Sequence, residues 1–173
     1  MSQGLYIAAM EPNSGKSLAV LGVLELLSRR VQRLGFFRPV IHTEPELDSH
    51  IQLVCGRYTR DIPAEQSYGV QHVVARQAVA DGDEEKLLKR ILARFRDVQR
   101  QCDFVVCEGT DFAGLTNAFE FDFNAELANH LGCPVLIVTN GRDRMDTEVV
   151  GLARAARQEF RELGCTVTAT IVN

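Results

Sequence analysis

Residues 8–18 read AAMEPNSGKSL, and this stretch decides the fold. Gly15-Lys16-Ser17 closes the pattern G-x-x-x-x-G-K-[ST]. In that pattern backbone N–H groups wrap phosphates, the lysine neutralises them and the hydroxyl holds a metal ion. The glycine that opens such a loop is missing: Met10 stands five residues before Gly15, and Ala9 six before it. A glycine there takes a positive φ and lets phosphate approach the backbone, so Ala9 is expected to be strained. Glu11 adds a negative charge inside the loop, and Pro12 removes one N–H donor. The candidate contacts are Asn13, Ser14, Gly15, Lys16 and Ser17. With these departures the loop is expected to gather an anion or waters at its helix N-terminus rather than hold nucleotide tightly.

Working outward, LYIAAM (5–10) reads as a buried strand feeding the loop. After it Leu18, Leu21, Leu24, Leu27, Val31 and Leu34 recur at helical spacing, and Gly35 reads as the stop. Further strands are expected over 36–41, 103–108, 134–139 and 166–172. Helices are expected over 46–58, 84–101, 123–131 and roughly 144–163. The second of these carries an apolar face of Leu87, Leu88, Ile91, Leu92, Phe95 and Val98. Residues 59–83 read as irregular, with room for short helices. Continuous Val/Ile-rich strands alternating with helices predict a three-layer α/β fold, a mostly parallel sheet with helices on both faces. One domain is expected over 1–173. The last strand reads as a central one, where a domain rarely stops, so the sequence is expected to be a piece of a longer multidomain enzyme.

Composition narrows the functions. With 46% hydrophobic and 24% charged residues, the chain has the balance of a soluble globular protein. A net charge of −4 without a basic run argues against nucleic acid as a partner. No apolar stretch approaches the ~20 residues of a membrane span, and the N-terminus lacks the marks of an export signal. The five cysteines (55, 102, 107, 133 and 165) are odd in number and contain no C-x-x-C pair. They read as reduced, mostly buried thiols of a cytoplasmic protein. The four histidines (42, 50, 72 and 130) lack ligand spacing, so they read as packing or surface residues rather than a zinc site.

In doubly wound sheets ligands sit outside the carboxyl ends of the strands. That rule gathers Lys16 and Ser17 with Arg38, Asp48, Glu108, Asp111 and Asn173. Lys16 on phosphates, with Ser17, Asp48 and Glu108 around a Mg²⁺ carried by ATP, is one coherent picture. Blander roles fit too: Glu108 as a capping or loop-ordering acid, Asp48 on a solvated helix, Arg38 as a surface charge.

The order of the shifted loop, GFFRPV, ELDSHIQLV, DFVVCEGT, CPVLIVTNG and the terminal TIVN resembles the dethiobiotin synthetase-like branch of the P-loop NTPases. More narrowly, the chain is similar to the N-terminal domain of long-form phosphate acetyltransferases, to whose segment after the second strand EQSYGVQHVVARQAVADGDEEKLLKRIL is similar. The resemblance implies that Lys16 and Ser17 meet phosphate and metal, that Asp48 and Glu108 complete the metal shell, and that Asn173 reads an adenine. It also implies a regulatory and assembly role within a homo-oligomer, a small-molecule effector at Arg38, Asp48, Glu108 and Asp111, and other domains of the parent enzyme as partners. Acetyl transfer between acetyl-CoA and phosphate would lie in a C-terminal domain outside this sequence. Arg38-Pro39 runs into Val40-Ile41-His42, and EGTDF lacks a glycine pair, so the substrate half of a dethiobiotin synthetase is missing. An ATP- and Mg-dependent ligase of that class and a partner-controlling ATPase are the two alternatives.

Overall fold

The computed structural model describes residues 3–11, 13–110 and 117–173. The candidate Asp111 and the loop residue Pro12 lie outside them. Among the described residues six strands form one sheet: β1 Gln3–Ala9, β2 Leu34–Ile41, β3 Tyr68–Gln71, β4 Phe104–Glu108, β5 Val135–Thr139 and β6 Val167–Val172. Their order is β3-β2-β4-β1-β5-β6, and every neighbouring pair is parallel. The helices are α1 Lys16–Leu27, α2 Ser49–Arg57, α3 His72–Ala80, α4 Glu84–Gln99, α5 Asn117–Leu131 and α6 Asp146–Glu162.

Successive side chains of a strand point to opposite faces, and along the inner strands β2, β4, β1 and β5 both faces are apolar because both are covered. Tyr6 and Ala8 of β1 join Phe37, Ile91, Phe95, Leu127 and Phe160 in one core, roofed by helices α4, α5 and α6. Ile7 of the same strand joins Phe36, Val20, Leu24, Ile51 and Val54 in the other, roofed by α1 and α2. Four cysteines are buried, Cys55 is half-buried, and all five are unpaired thiols.

Several expectations need correction. Strand β3 lies inside the segment read as irregular, and α3 follows it directly. Strand β6, read as central, is an edge strand among the described six. Helix α1 ends at Leu27 rather than running to Leu34, which opens β2 and is buried there. Gly35 is accordingly no helix stop. A Cβ on it would come 2.6 Å from Cys102 Sγ and 3.1 Å from Val98 Cγ1, so the glycine lets the end of α4 close on the sheet. Finally, Ala9 is the last residue of β1, paired with Val138, and carries no left-handed backbone. The left-handed conformation falls on Asn13 instead (φ 58°), a residue type that tolerates it.

Candidate functional site

The loop between β1 and α1 stands at the carboxyl end of the central strand, where ligands of such sheets bind. Gly15 is its pivot. Its φ of 83° is left-handed, and a Cβ would lie 2.3 Å from Asn173 Nδ2. Glycine is therefore demanded there by backbone and by space. No side chain caps α1, so the first-turn N–H groups that a helix leaves without internal partners face the loop. A cleft of about 370 Å³ is lined by Glu11, Asn13, Ser14, Gly15, Lys16 and Ser17. Ser14 is buried, and its hydroxyl has no hydrogen-bond partner among the described residues. A buried unpaired hydroxyl costs free energy that an incoming acceptor would recover. Lys16 is buried as well and donates from Nζ to the Gly109 carbonyl at 2.5 Å.

Beneath the loop the sheet brings Arg38, Asp48 and Glu108 together. Asp48 is the N-cap of α2: one carboxylate oxygen accepts from the N–H groups of His50 (3.1 Å) and Ile51 (3.0 Å). Its other oxygen takes a hydrogen bond from Arg38. Glu108, 1% exposed, accepts from the Ser17 hydroxyl at 3.0 Å through Oε1. Its Oε2 lies 3.4 Å from Arg38 Nε and 2.8 Å from His50 Nδ1, in neither case with the geometry of an aligned hydrogen bond. Burial pushes the Glu108 pKa up, but His50, Arg38 and Lys16 outweigh it and hold the group at about 2. Both acids thus turn their oxygens toward donors of the protein rather than toward a shared open position. Among the described residues no group of three His, Cys, Asp or Glu side chains is placed to hold a metal ion. The Mg²⁺ expected around Ser17, Asp48 and Glu108 does not fit this donor set, because Arg38, Ser17 and the first N–H groups of α2 already hold three of the four carboxylate oxygens.

The exit of β4 is fixed by Asn124, which accepts from the Tyr6 hydroxyl at 2.7 Å and from the Thr110 N–H at 2.9 Å. On the loop's other flank, Arg144 forms a two-pronged pair with Glu11 at 2.5 and 2.7 Å and donates to the Asn140 carbonyl at 2.8 Å. Glu11 therefore does not confront a ligand as a bare charge. Arg144's hydrogen bond outweighs burial and keeps its pKa below the usual carboxylate value. Asn173, expected at an adenine, donates from its side chain to the Ser14 carbonyl at 3.2 Å and so braces the loop. Two site residues escaped the sequence reading. His50 sits within the quoted ELDSHIQLV, two residues from Asp48, and its position after the second strand was the available signal. Arg144 follows the strand-end residues Thr139-Asn140-Gly141 but carries no motif of its own.

An all-parallel sheet with a phosphate loop joining its first strand to its first helix defines the P-loop class of α/β folds. A family model described as AAA domain matches residues 3–173, and the chain belongs to that family. Phosphate acetyltransferase from Nitratidesulfovibrio vulgaris is 38% identical over 175 residues, an alignment spanning 100% of this chain and 25% of that protein. An ATP-dependent dethiobiotin synthetase from a Sulfurovum species is 25% identical over 146 residues, covering 80% of this chain and 69% of the synthetase. Among solved structures, a plasmid partition protein from Borrelia burgdorferi bound to AMPPNP superposes with a TM-score of 0.52 at 16% identity. That match covers 99% of this chain and 75% of the partition protein, and it concerns the fold. No described helix is long and apolar enough to cross a membrane.

Proposed function

We propose that this domain serves a phosphate acetyltransferase as a regulatory and assembly module. On this reading it senses a phosphate-bearing metabolite, ATP foremost, while acetyl transfer from acetyl-CoA to phosphate takes place in another part of the parent chain. The observation that carries the proposal is the 38% identity to a phosphate acetyltransferase along 100% of this chain, which spans only 25% of that protein. The loop supplies the sensing half: helix N–H groups, buried Lys16 and an unpaired Ser14 hydroxyl surround one cleft. A dethiobiotin-forming ligase is less well supported, because Val40 and Ile41, which follow Arg38-Pro39, are buried in β2 rather than turned to a substrate.

The test is acetyl phosphate formation by the full-length enzyme with and without ATP, ADP and phosphate, in wild type and Lys16→Ala. Effector coupling of about 1–3 kcal/mol, roughly 5- to 150-fold in effector affinity, is expected for such a device. Lys16→Ala is expected to lose the nucleotide response. An identical response in both proteins would remove the loop from regulation. Dissociation of the oligomer in a loop-intact variant of the domain surface would speak for assembly alone.

A further inference from the structure

We infer that the cleft takes its phosphate-bearing ligand without a divalent cation, with the Arg38 guanidinium standing in for the ion's charge. This rests on the preceding reading that the loop binds such a ligand at all. In the usual arrangement a P-loop hydroxyl and an acid at a strand end share Mg²⁺, which bridges the ligand's phosphate oxygens. Mg²⁺ demands near-octahedral oxygens, dehydrates reluctantly and keeps several of its waters. The residues that would serve it here are engaged otherwise. Asp48 spends one oxygen on two N–H groups of α2 and the other on Arg38. Glu108 gives one oxygen to Ser17 and turns the other to His50 and Arg38.

Space and charge agree with that description. The side chains of Arg38, Asp48 and Glu108 are 18%, 9% and 1% exposed, which leaves little room for a hydrated ion between them. The charges of the two acids are matched by those of Arg38 and Lys16, so a dication would enter a cluster that already balances. It would also have to evict a guanidinium that faces both acids at once. Arg38 stands behind the cleft wall: it faces Glu108 Oε2, while Ser17, which lines the cleft, donates to Oε1 of the same carboxylate, so the guanidinium's charge acts on the ligand at that remove. On the anion side the site is unfinished, since Ser14 is buried with its hydroxyl unpaired. On the acid side three of the four carboxylate oxygens already hold hydrogen bonds, and the fourth, Glu108 Oε2, faces Arg38 Nε at 3.4 Å.

The experiment is calorimetric titration of ATP, and separately of inorganic tripolyphosphate, into the full-length protein in excess EDTA and in excess Mg²⁺. Wild type is expected to bind in EDTA with an affinity within about threefold of that in Mg²⁺, less than about 0.7 kcal/mol. Lys16→Ala, the control for binding elsewhere in the protein, is expected to remove the signal in both buffers. Arg38→Met keeps an apolar stem without the charge, and its binding is expected to fall in EDTA and recover in Mg²⁺. Arg38→Lys keeps the charge and is expected to stay indifferent to the metal, which separates loss of charge from loss of folding. Wild-type binding that needs Mg²⁺ by tenfold or more would overturn the inference and leave the regulatory proposal standing. No binding in either buffer would sink the regulatory proposal itself.

Discussion

Replacing Glu108 by Gln removes one negative charge from the buried cluster while keeping the side chain's shape and its ability to accept from Ser17. In the wild type burial raises the Glu108 pKa, but His50, Arg38 and Lys16 together hold it at about 2 against an ordinary 4.5. A folded pKa below the unfolded one means that the native state binds fewer protons in between. The stabilisation is therefore complete above pH 4.5 and drains away as pH falls toward 2. At about 1.4 kcal/mol for each pH unit, the whole effect amounts to about 3 kcal/mol, of which about 2 is expended by pH 3. The amide of the variant does not titrate. The unfolding free energy of wild type minus that of Glu108→Gln, from urea denaturation, is thus expected to shrink by about 2 kcal/mol between pH 5 and pH 3. Contributions common to the two proteins cancel in the difference. Parallel stability curves across that range would show that the cluster does not hold Glu108 ionised, and the electrostatic account of the site would fall with it.

Three further expectations follow from close contacts. Gly15→Ala places a Cβ in left-handed backbone, costing about 1–2 kcal/mol, and pushes Asn173 off the loop. Phosphate binding is expected to be lost, and wild-type affinity by calorimetry would contradict the geometry. Gly35→Ala crowds Cys102 and Val98 at a cost of about 1–3 kcal/mol in thermal melts. Adding Cys102→Ala is expected to return most of that loss, and strictly additive effects would show that the two sites do not touch. Glu11→Gln releases Arg144 and removes a negative charge from the loop. It is expected to cost no more than about 1 kcal/mol of stability while strengthening tripolyphosphate binding, and weaker binding would mean that the ion pair shapes the loop rather than restrains it.

Much of the sheet was legible because β1, β4 and β5 are near-continuous apolar runs, and because β2 (LGFFRPVI) and β6 (VTATIV) keep enough aromatic and β-branched residues to read as strands despite Arg38 and the threonines. Strand β3 was not. It is four residues long (YGVQ), pairs with β2 alone and sits in a polar stretch, so no run or period announces it. Helix α1 was over-extended because Val31 and Leu34 fall at helical spacing by coincidence. Val31 packs on the core from the turn after the helix, and Leu34 does so from β2. The helix itself gave little directional signal, since it is apolar nearly all round, with Leu18 and Leu26 at 66% exposure. At the site, the strand-end rule gathered Arg38, Asp48 and Glu108 from three separate segments, but not what each does. Whether an acid caps a helix, meets a guanidinium or awaits a metal depends on which loops converge. Glu11 and Arg144, which meet across 133 residues of sequence, show how far such a partner can lie.

The missing glycine that opens the question of this loop has a structural answer. Position 9 needs no special backbone, because β1 continues through it in register with β5. The turn is made later, by Asn13 and Gly15, and Asn173 fills the space that Gly15 leaves open. The intrusive charge of Glu11 is met by Arg144, and the acids below the loop are met by Arg38. The departures at Ala9 and Glu11 are thus met by partners from other segments, β5 and Arg144. Phosphoryl transfer asks for more than holding: it needs an ion bridging the phosphate oxygens as charge develops. A guanidinium already fixed to two carboxylates suits recognition of a standing anion better than that task. On the reading proposed here, the same substitution of a tethered cation for a mobile one that weakens the case for chemistry makes the cleft a metal-independent sensor.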